Sequence, residues 1–368
     1  MANENLNIFG KTISRLINKE NLSYDEAYEA FSTVLNNQTT EIQQGAFLAA
    51  LKAKGESRDE IAGCREAIYK HDTNKVNPQV DRPVVENSGT GMDSFKTFNI
   101  STCASIIAAT ANIPMARHGS RALTGVCGTV DLAEHLGVDV ECSTKIIVES
   151  LEKTNLGLFN GMSPQVHPNA LGRILSNIAF GSTLNISASL ASPVKPEIGV
   201  RGVYSKEMVQ PTIEVMHLMG YKKALVYYGS IKNSLLGMDE ASVSGDTYLA
   251  SLDPDGYINY FNFSPEDAGL QVQSPDELSP STNITEECER FVTLLEGKGH
   301  GTRVDAVALN AGLIFYMTEI SGTIKEGVKL ASEILESGEA VKSLQKWIAA
   351  QNRTPEKGIN SFKKLKGN

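Results

Sequence analysis

Apolar residues between positions 8 and 71 recur every three or four positions, the spacing that gathers them on one face of a helix. Ser23, Thr40 and Ser57 each stand just before one of these runs, and Ser57 forms a capping-box pattern with Glu60. The pattern therefore predicts a small helical domain over residues 1–76, with room for a contribution from a later helical segment.

A different pattern follows the linker at 77–83, where two prolines interrupt helix formation. Runs typical of strands then alternate with runs typical of helices, with strands at 84–86, 113–116 and 222–228 and helices at 101–111 and 130–136. This alternation indicates an α/β domain with a mainly parallel central sheet over residues 77–368.

Further signals lie downstream: a helix at 169–180, an extended or turning segment with two prolines at 189–196, β-hairpins at 244–263 and C-terminal helices at 283–347. The last residues, 357–368, are polar and basic, and we expect them to fray.

Composition narrows the class of protein. The 368 residues are 41% hydrophobic and carry a formal net charge of -9, a balance that argues against general binding to nucleic acids or anionic membranes. The five cysteines form no Cys-x-x-Cys pair, which favours free thiols in a reducing compartment. The first residues lack a signal-peptide pattern, and no apolar run approaches the ~20 residues of a membrane helix, so we expect a cytoplasmic protein.

The segment from Glu86 to Thr102 has the composition of a phosphate-binding loop. Gly89 and Gly91 allow the main chain to turn sharply and to bring N–H groups towards an anion. Short side-chain donors accompany them: Thr90, Asn99, Ser101 and Thr102. The alternative is an ordinary turn into a helix, with Ser and Thr residues that only cap that helix. The presence of two donor clusters favours a ligand.

A basic cluster, Arg117-His118-Gly119-Ser120-Arg121, comes directly after a predicted strand, where parallel sheets bind their ligands. Two guanidinium groups can hold phosphate through paired hydrogen bonds, and His118 adds a donor whose charge changes near neutral pH. The alternative is a set of surface charges. The glycine-containing turn at 123–129 is either a second anion site or only a connection.

Asp239 and Glu240 lie in a glycine-containing loop after another predicted strand. Adjacent carboxylates at such a place can collect one or two Mg²⁺ ions, which they share with substrate phosphates. A solvated acidic turn is the alternative. His167 stands before the helix at 169–180, where a histidine commonly has a purely structural role.

Taken together, these motifs make the chain resemble the anthranilate phosphoribosyltransferase family over nearly its whole length. The matching segments follow the family's order: Leu22–Ala27, Gln44–Leu51, Gly89–Gly91 with Asp93, Thr97–Thr102, His118–Gly119 with Arg121, His167–Pro168, Gly202–Tyr204, Asp239–Glu240 and Leu309–Ala311. The wider fold is shared with the pyrimidine nucleoside phosphorylases.

The resemblance implies transfer of the ribosyl 5-phosphate group of phosphoribosyl pyrophosphate (PRPP) to an aromatic amine or a related nitrogen acceptor. It implies Mg²⁺ as cofactor, a place in tryptophan biosynthesis and a homodimer paired through the N-terminal helical domain, with neither nucleic acid nor membrane as partner. No protein nucleophile is expected, because positioning and stabilisation of the leaving pyrophosphate would suffice for an oxocarbenium-like transition state.

The resemblance also assigns roles to individual residues. PRPP binding falls to Gly89, Thr90, Gly91, Asp93, Thr97, Asn99, Ser101, Thr102 and Arg117. Acceptor binding falls to His118, Ser120, Arg121, His167 and Asn177, and metal binding to Ser101, Asp239 and Glu240.

The sequence departs from the family's pattern mainly on the acceptor side. Met92 stands at a usual glycine, Arg117 at a usual lysine and Ser120 at a usual asparagine, while 123–128 replaces a Ser-Lys-Ser-Gly-like run. Counted without gaps from the preceding histidine, Asn177 takes the place of the arginine that contacts the acceptor carboxylate. Loss of a bidentate clamp removes on the order of 1.5 to 3 kcal/mol, which predicts poor use of anthranilate.

Two other functions stay open at this point. A nucleoside-phosphorylase-like enzyme would use inorganic phosphate, and the Asp239–Glu240 pair and the Thr97–Thr102 run argue against it. A non-catalytic paralogue would bind nucleic acid or regulate a pathway, and the acidic balance argues against that.

Overall fold

Eight strands form one sheet in the computed structural model, which describes residues 2–122 and 127–367. The strands are β1 (Val85–Gly89), β2 (Met115–Gly119), β3 (Leu156–Asn160), β4 (Ile198–Gly202), β5 (Lys223–Ser230), β6 (Gly237–Met238), β7 (Thr247–Leu252) and β8 (Ile258–Phe263). The order is β3-β2-β1-β4-β5-β7-β8. The first five strands run parallel, while β7 and β8 extend the sheet antiparallel and β6 pairs antiparallel with β5. The predicted α/β class with a mainly parallel sheet is confirmed.

The α-helices lie before, between and after these strands. They are α1 (Ala2–Ile17), α2 (Tyr24–Leu35), α3 (Glu41–Lys54), α4 (Arg58–His71), α5 (Ile100–Thr110), α6 (Thr129–Leu136), α7 (Thr144–Thr154), α8 (Leu171–Ile178), α9 (Thr183–Leu190), α10 (Val209–Leu218), α11 (Ile284–Leu295), α12 (Gly301–Met317), α13 (Ile324–Ser337), α14 (Glu339–Ala350) and α15 (Pro355–Leu365). The side chains of Ser23, Thr40 and Ser57 cap α2, α3 and α4, as their sequence positions predict.

The sheet is buried on both faces. Along β5, Leu225 and Tyr227 join the large core formed with α5 and α11–α14, whereas Ala224 and Val226 join a second core that includes α10. Successive side chains of a strand point to opposite faces, so a central strand covered on both sides reads as a continuous apolar run. This explains why the apolar run at 222–228 predicted the strand that the structure shows as β5.

The N-terminal helices share a core with two later helices. Phe31 and Phe47 from α2 and α3 pack in one cluster with Leu171 and Leu175 from α8 and Leu184 from α9. This is the packing expected if a later helical segment contributes to the N-terminal domain. We propose that the helical domain consists of residues 1–76 together with these two helices.

Three element predictions need correction. Strand β2 does not end at residue 116 but continues through Arg117 and His118, which pair with β3. Ser189 belongs to helix α9 and not to an extended segment. The C-terminal tail does not fray, because α15 buries Phe362, which is 1% exposed. Within the described residues, no helix combines the length and the apolar character that crossing a membrane requires.

Candidate active site

The loop after β1 is built around Asp239, which comes from a distant part of the chain. A Cβ atom at Gly89 would lie 2.2 Å from Asp239 Oδ2, and one at Gly202 would lie 1.6 Å from the Asp239 main-chain oxygen. Gly89 and Gly202 are partners in the β1–β4 ladder, so two adjacent glycines make the space that Asp239 fills. The N–H of Gly91 donates to Asp239 Oδ2 at 2.7 Å.

These contacts change the expected role of the glycine loop. The N–H of Thr90 donates to Gly202 O at 3.1 Å, and the N–H of Gly91 donates to Asp239. Both groups therefore have partners within the protein, whereas the sequence predicted that N–H groups of this loop would face an anion. The loop positions a carboxylate instead.

Glu240 is placed at the start of α5. The N–H of Ser101 donates to Glu240 Oε1 at 3.0 Å, which satisfies one of the free N–H groups at this helix end. Glu240 Oε2 is buried and has no hydrogen-bond partner among the described residues. The side chain therefore offers an unused oxygen beside Ser101.

Burial makes the two carboxylates costly to ionise. Burial raises the pKa of Asp239 to about 7, and the negative charge of Asp93 adds to the rise. Burial and then the charge of Asp239 raise the pKa of Glu240 well above its ordinary value. A nearby cation would offset both effects, so the chemistry of this site suits a divalent metal ion. The adjacent Asp93 carboxylate pairs with Lys96 Nζ at 2.7 Å.

Arg117 lies beside this group, buried within the sheet. Its Nε donates to Asn87 O at 3.1 Å and its Nη2 to Ser101 Oγ at 3.0 Å, whereas Nη1 has no partner in the described part of the chain. Burial lowers the pKa of Arg117 to about 10, against the opposing charges of Glu240 and Glu86. The guanidinium therefore stays charged at neutral pH and keeps one free donor.

His118 and His167 form a buried pair. His167 Nδ1 donates to the main-chain oxygen of Asp72, so in a neutral ring Nε2 accepts from His118 Nε2 across 3.0 Å. Burial lowers the pKa of both histidines, that of His118 well below its ordinary value. The Asp72 carboxylate in turn accepts from the N–H groups of Ala170 at 3.0 Å and Leu171 at 2.6 Å, which fixes the start of α8.

Arg121 is held by carboxylates. Its guanidinium lies 3.2 Å from Asp131, 2.7 Å from Glu134 and 3.7 Å from Glu141. Asp131 also accepts from the N–H groups of Ala122 at 2.8 Å and Gly128 at 3.0 Å. The guanidinium of Arg121 therefore belongs to an ion-pair network with these carboxylates.

Most of the predicted residues line a single cleft between the sheet and helices α8 and α9. The predicted residues that line it are Gly89, Thr90, Gly91, Asp93, Thr97, Asn99, Ser101, Arg117, His118, Ser120, Arg121, Asp239 and Glu240. The residues singled out in the sequence therefore lie together in the structure, around one cleft.

Three predicted residues do not line this cleft. Thr102 is buried inside α5, and His167 approaches the cleft only through His118. Asn177 is exposed, and its Nδ2 donates to Arg173 O at 2.8 Å on its own helix, so the gap-free count placed it wrongly at the acceptor. Of the turn at 123–128, residues 123–126 lie outside the described residues.

Sequence reasoning missed the wall contributed by α8, α9 and the β1–α5 loop. The additional lining residues there are Met92, Leu171, Leu175, Gly181, Asn185, Ala188 and Ser189. Only the two prolines after Ser189 gave a signal, which indicated a chain crossing near the site.

Helix α12 contacts the main chain directly after the acidic pair. Asn310 Oδ1 accepts from the N–H of Ala241 at 2.9 Å, and its Nδ2 donates to Ala241 O at 3.1 Å. The residue directly after Glu240 is therefore held by a buried amide.

The sequence of this chain is similar to known protein families and to individual known proteins. The chain matches the model of the glycosyl transferase family a/b domain over residues 81–341 and that of the glycosyl transferase family helical bundle domain over residues 11–72. It is 33% identical to the anthranilate phosphoribosyltransferase of Methanobrevibacter smithii, over 93% of this chain and 99% of that protein. It is also 33% identical to that of Persephonella marina, over 91% and 96%.

Two solved structures of anthranilate phosphoribosyltransferases share the fold of this chain. The anthranilate phosphoribosyltransferase of Thermus thermophilus superposes with a TM-score of 0.81 and 29% identity, over 92% of this chain and 98% of that one. The Saccharomyces cerevisiae enzyme, solved with PRPP and Mg, shares the fold with a TM-score of 0.79 and 22% identity, over 94% and 98%.

Proposed function

This chain belongs to the anthranilate phosphoribosyltransferase family, and from that membership we propose that it transfers the ribosyl 5-phosphate group of PRPP to a nitrogen acceptor with the help of Mg²⁺. The observation that carries the proposal is the group formed by Asp239, Glu240, Ser101 and Arg117. It brings buried acidic oxygens and a free guanidinium donor to one end of the sheet.

Mg²⁺ fits the acidic part of this group. We propose Ser101, Asp239 and Glu240 as the residues that hold it. Mg²⁺ prefers oxygen ligands and commonly takes one or two carboxylates together with substrate phosphates. The buried, unpartnered Oε2 of Glu240 supports this assignment, and so do the raised pKa values of both carboxylates. When bound, the ion would supply positive charge next to the leaving pyrophosphate.

The chain's own residues would do the remaining work. Arg117 can donate its free Nη1 to a phosphate oxygen, and its lack of an internal partner for that atom supports the role. Ser101 Oγ, already fixed by Arg117, and the nearby Asn99 can orient the sugar phosphate. With an oxocarbenium-like transition state, such positioning and charge stabilisation need no protein nucleophile.

The test is to incubate the protein with PRPP, Mg²⁺ and a panel of aromatic amines and to measure pyrophosphate release. PRPP with Mg²⁺ should also stabilise the fold, by about 2.7 kcal/mol when the ligand is at about a hundred times its Kd. Arg117→Gln should abolish this stabilisation, whereas Arg58→Gln, a change at a half-exposed surface arginine, should keep it. Absence of any thermal shift with millimolar PRPP and Mg²⁺ would contradict the proposal.

We also propose that two copies pair through the N-terminal helices. Large apolar side chains are exposed there, with Ile8 at 59%, Ile17 at 67% and Ile42 at 85%. Large apolar side chains that stay exposed on helices can mark an interface. Light scattering should report a dimer that Ile8→Glu with Ile42→Glu converts to a monomer, while Leu218→Glu, at another exposed apolar residue, leaves it intact. A monomeric wild-type protein at micromolar concentration would refute the pairing.

A further inference from the structure

The acceptor side of the cleft has an apolar wall made by two parts of the chain. Met92 comes from the β1–α5 loop and meets Gly181, which precedes α9, so closely that a Cβ atom at Gly181 would lie 2.1 Å from the Met92 sulfur. Leu171 and Leu175, one turn apart on α8, line the same cleft. A thioether and leucine side chains that line the same cleft offer adaptable apolar surface to a flat ring.

The backbone at this wall is unusual. Met92 has φ +65° and Ala179, two residues before Gly181, has φ +50°. Non-glycine residues seldom adopt this left-handed region, and such conformations persist where the surroundings fix them, often at ligand sites. The wall is therefore held in place at a cost in conformational energy.

Each cation that lines the described part of the cleft already has a polar partner. Lys96 pairs with Asp93, Arg117 is bonded to Ser101, and Arg121 faces three carboxylates. Arg117 keeps its Nη1 free, but it lies next to Ser101, where the phosphates of PRPP are proposed to bind. The undescribed residues 123–126 are Leu, Thr, Gly and Val, so they add no charge.

A negatively charged acceptor would therefore lose its hydration without gaining a positive partner. Burial of an ionised carboxylate without such a partner is strongly unfavourable. The carboxylates around Arg121 would also repel it. His118 gives no compensation, because its buried ring is neutral at pH 7 and donates to His167.

Apart from Arg121 and its carboxylate partners, the polar groups on the acceptor side are uncharged. Asn185 lines the cleft, its Oδ1 accepts from the N–H of Ser182 at 2.9 Å, and its Nδ2 has no partner in the part of the chain that the structure describes. The free amide donor can bond with a carbonyl oxygen, and it brings no positive charge to offset the desolvation of a carboxylate. Ser189 and Ser120 add hydroxyl groups to the same lining.

Building on the proposed transferase function, we infer that the acceptor is an uncharged aromatic amine. Its ring packs against Met92, Leu171 and Leu175, and a neutral carbonyl or carboxamide group bonds with Asn185. The acceptor nitrogen attacks the anomeric carbon, the bond to pyrophosphate breaks, and the nitrogen then releases one proton to solvent. No carboxylate is needed for recognition.

A matched pair of acceptors tests this inference. Anthranilate and 2-aminobenzamide carry the same amine on the same ring and differ only in carboxylate against carboxamide. At saturating PRPP and Mg²⁺, kcat/KM for 2-aminobenzamide, followed by pyrophosphate release, should exceed that for anthranilate at least about tenfold. Leu175→Arg should narrow or reverse the ratio, because it places a cation in the lining. Equal or better use of anthranilate by the wild-type protein overturns the inference.

Binding provides a second measurement that does not depend on turnover. Benzamide and benzoate lack the amine, so their binding to the protein with PRPP and Mg²⁺ can be compared by ligand-observed NMR. Benzamide should bind at least about tenfold more tightly. Equal binding, tighter binding of benzoate or binding of neither compound overturns the inference.

Two controls distinguish failure of the proposed transferase function from failure of the inference about the acceptor. Failure of the proposed transferase function appears as absence of thermal stabilisation by PRPP with Mg²⁺, which involves no acceptor. Arg173 is half-buried, does not line the cleft and has an Nη2 without a partner among the described residues, so Arg173→Gln should leave the preference for the amide unchanged. Selective loss of anthranilate turnover in that variant would mean that Arg173 holds the carboxylate, which also overturns the inference.

Discussion

Asp239 and Glu240 illustrate how much a single pair of side chains depends on its surroundings. The sequence predicted the pair as metal ligands in a loop, but it gave no sign that both are buried, at 8% and 5% exposure. Their burial depends on Gly89 and Gly202, which leave room for Asp239, and on the N–H of Ser101, which contacts Glu240. The contacts of Asp239 with the Gly89–Gly91 loop and of Glu240 with Ser101 join segments more than a hundred residues apart, so local pattern could not reveal them.

Asp239→Asn combined with Glu240→Gln should abolish Mg²⁺-dependent pyrophosphate release, with a loss on the order of a hundredfold or more. Stability without metal should not fall, because the amides remove two buried, mutually repelling acids. The control is Asp276→Asn with Glu277→Gln, an adjacent acidic pair that is exposed. Turnover that survives in the first double variant, or that a chelator leaves undiminished in the wild-type protein, would eliminate the metal role.

The histidine pair should make stability depend on pH. His118 and His167 are buried and neutral because their pKa values lie below the ordinary value. The unfolded chain takes up protons at about pH 6.5 while the folded pair does not, so stability is present above that pH and is lost as the pH falls. Below about pH 6.5, each histidine contributes a slope of up to ~1.4 kcal/mol per pH unit until its folded form also takes up a proton.

Denaturant unfolding at pH 7, 6 and 5 measures this slope. His118→Gln with His167→Gln should flatten the decline of the unfolding free energy towards low pH. His135→Gln, at an exposed histidine, should leave it unchanged. An identical slope in the wild-type protein and the double variant would mean that the pair does not titrate differently on folding.

At the scale of elements, the sequence predicted those with a regular apolar pattern and misjudged those held by a few distant contacts. Strand β2 continues through Arg117 because its guanidinium finds Asn87 and Ser101 inside the protein. Helix α15 docks through Phe362, with Ile359 and Leu365 packed against the same core, in a segment that is mostly polar. A hydrophobic pattern detects neither a buried arginine nor a few apolar anchors among many lysines.

The site was predicted in the same uneven way. Charged and glycine-containing motifs predicted Asp239, Glu240 and Arg117, which line the same cleft, since such motifs have few purely structural explanations. In the sequence, Met92, Leu171 and Leu175 resemble ordinary core residues. Only the folded chain, in which α8 lies opposite the β1–α5 loop, shows that they line the cleft. Asn177 was misplaced because a count along the sequence does not reveal which face of α8 looks into the cleft.

Helix α12 should position the acidic pair through Asn310. Asn310→Leu leaves the buried N–H and oxygen of Ala241 without their partner, which should cost about 1 to 3 kcal/mol of stability. It should also lower kcat at saturating Mg²⁺, because the segment carrying Glu240 is no longer fixed. The measurements are urea unfolding and pyrophosphate release at rising Mg²⁺ concentration.

Asn352→Leu provides the matched control. Asn352 Nδ2 likewise donates to a main-chain oxygen, that of Gly137 at 2.9 Å, but it does not line the cleft. We expect it to lose stability and to keep kcat. If both variants kept kcat, Asn310 would have a structural role only.

At the scale of the whole molecule, the helical domain and the α/β domain are built from interleaved parts of the chain. Residues 1–76 contribute α1–α4, but their core is completed by α8 and α9, which come after β3. The same two helices line one side of the cleft. Because they also pack against α1–α4, the core of the helical domain is joined to the lining of the cleft.

This arrangement predicts that residues 1–76 do not fold alone. Without Leu171, Leu175 and Leu184, the fragment exposes part of a core that is already small for its length. Circular dichroism of the isolated fragment should show no cooperative thermal transition. Fusion of residues 1–76 to residues 168–192 through a flexible linker should restore one, whereas fusion to residues 324–337, a helix from the other core, should not. A cooperative transition in residues 1–76 alone would instead place the domain boundary at residue 76, with α8 and α9 docking onto a preformed surface.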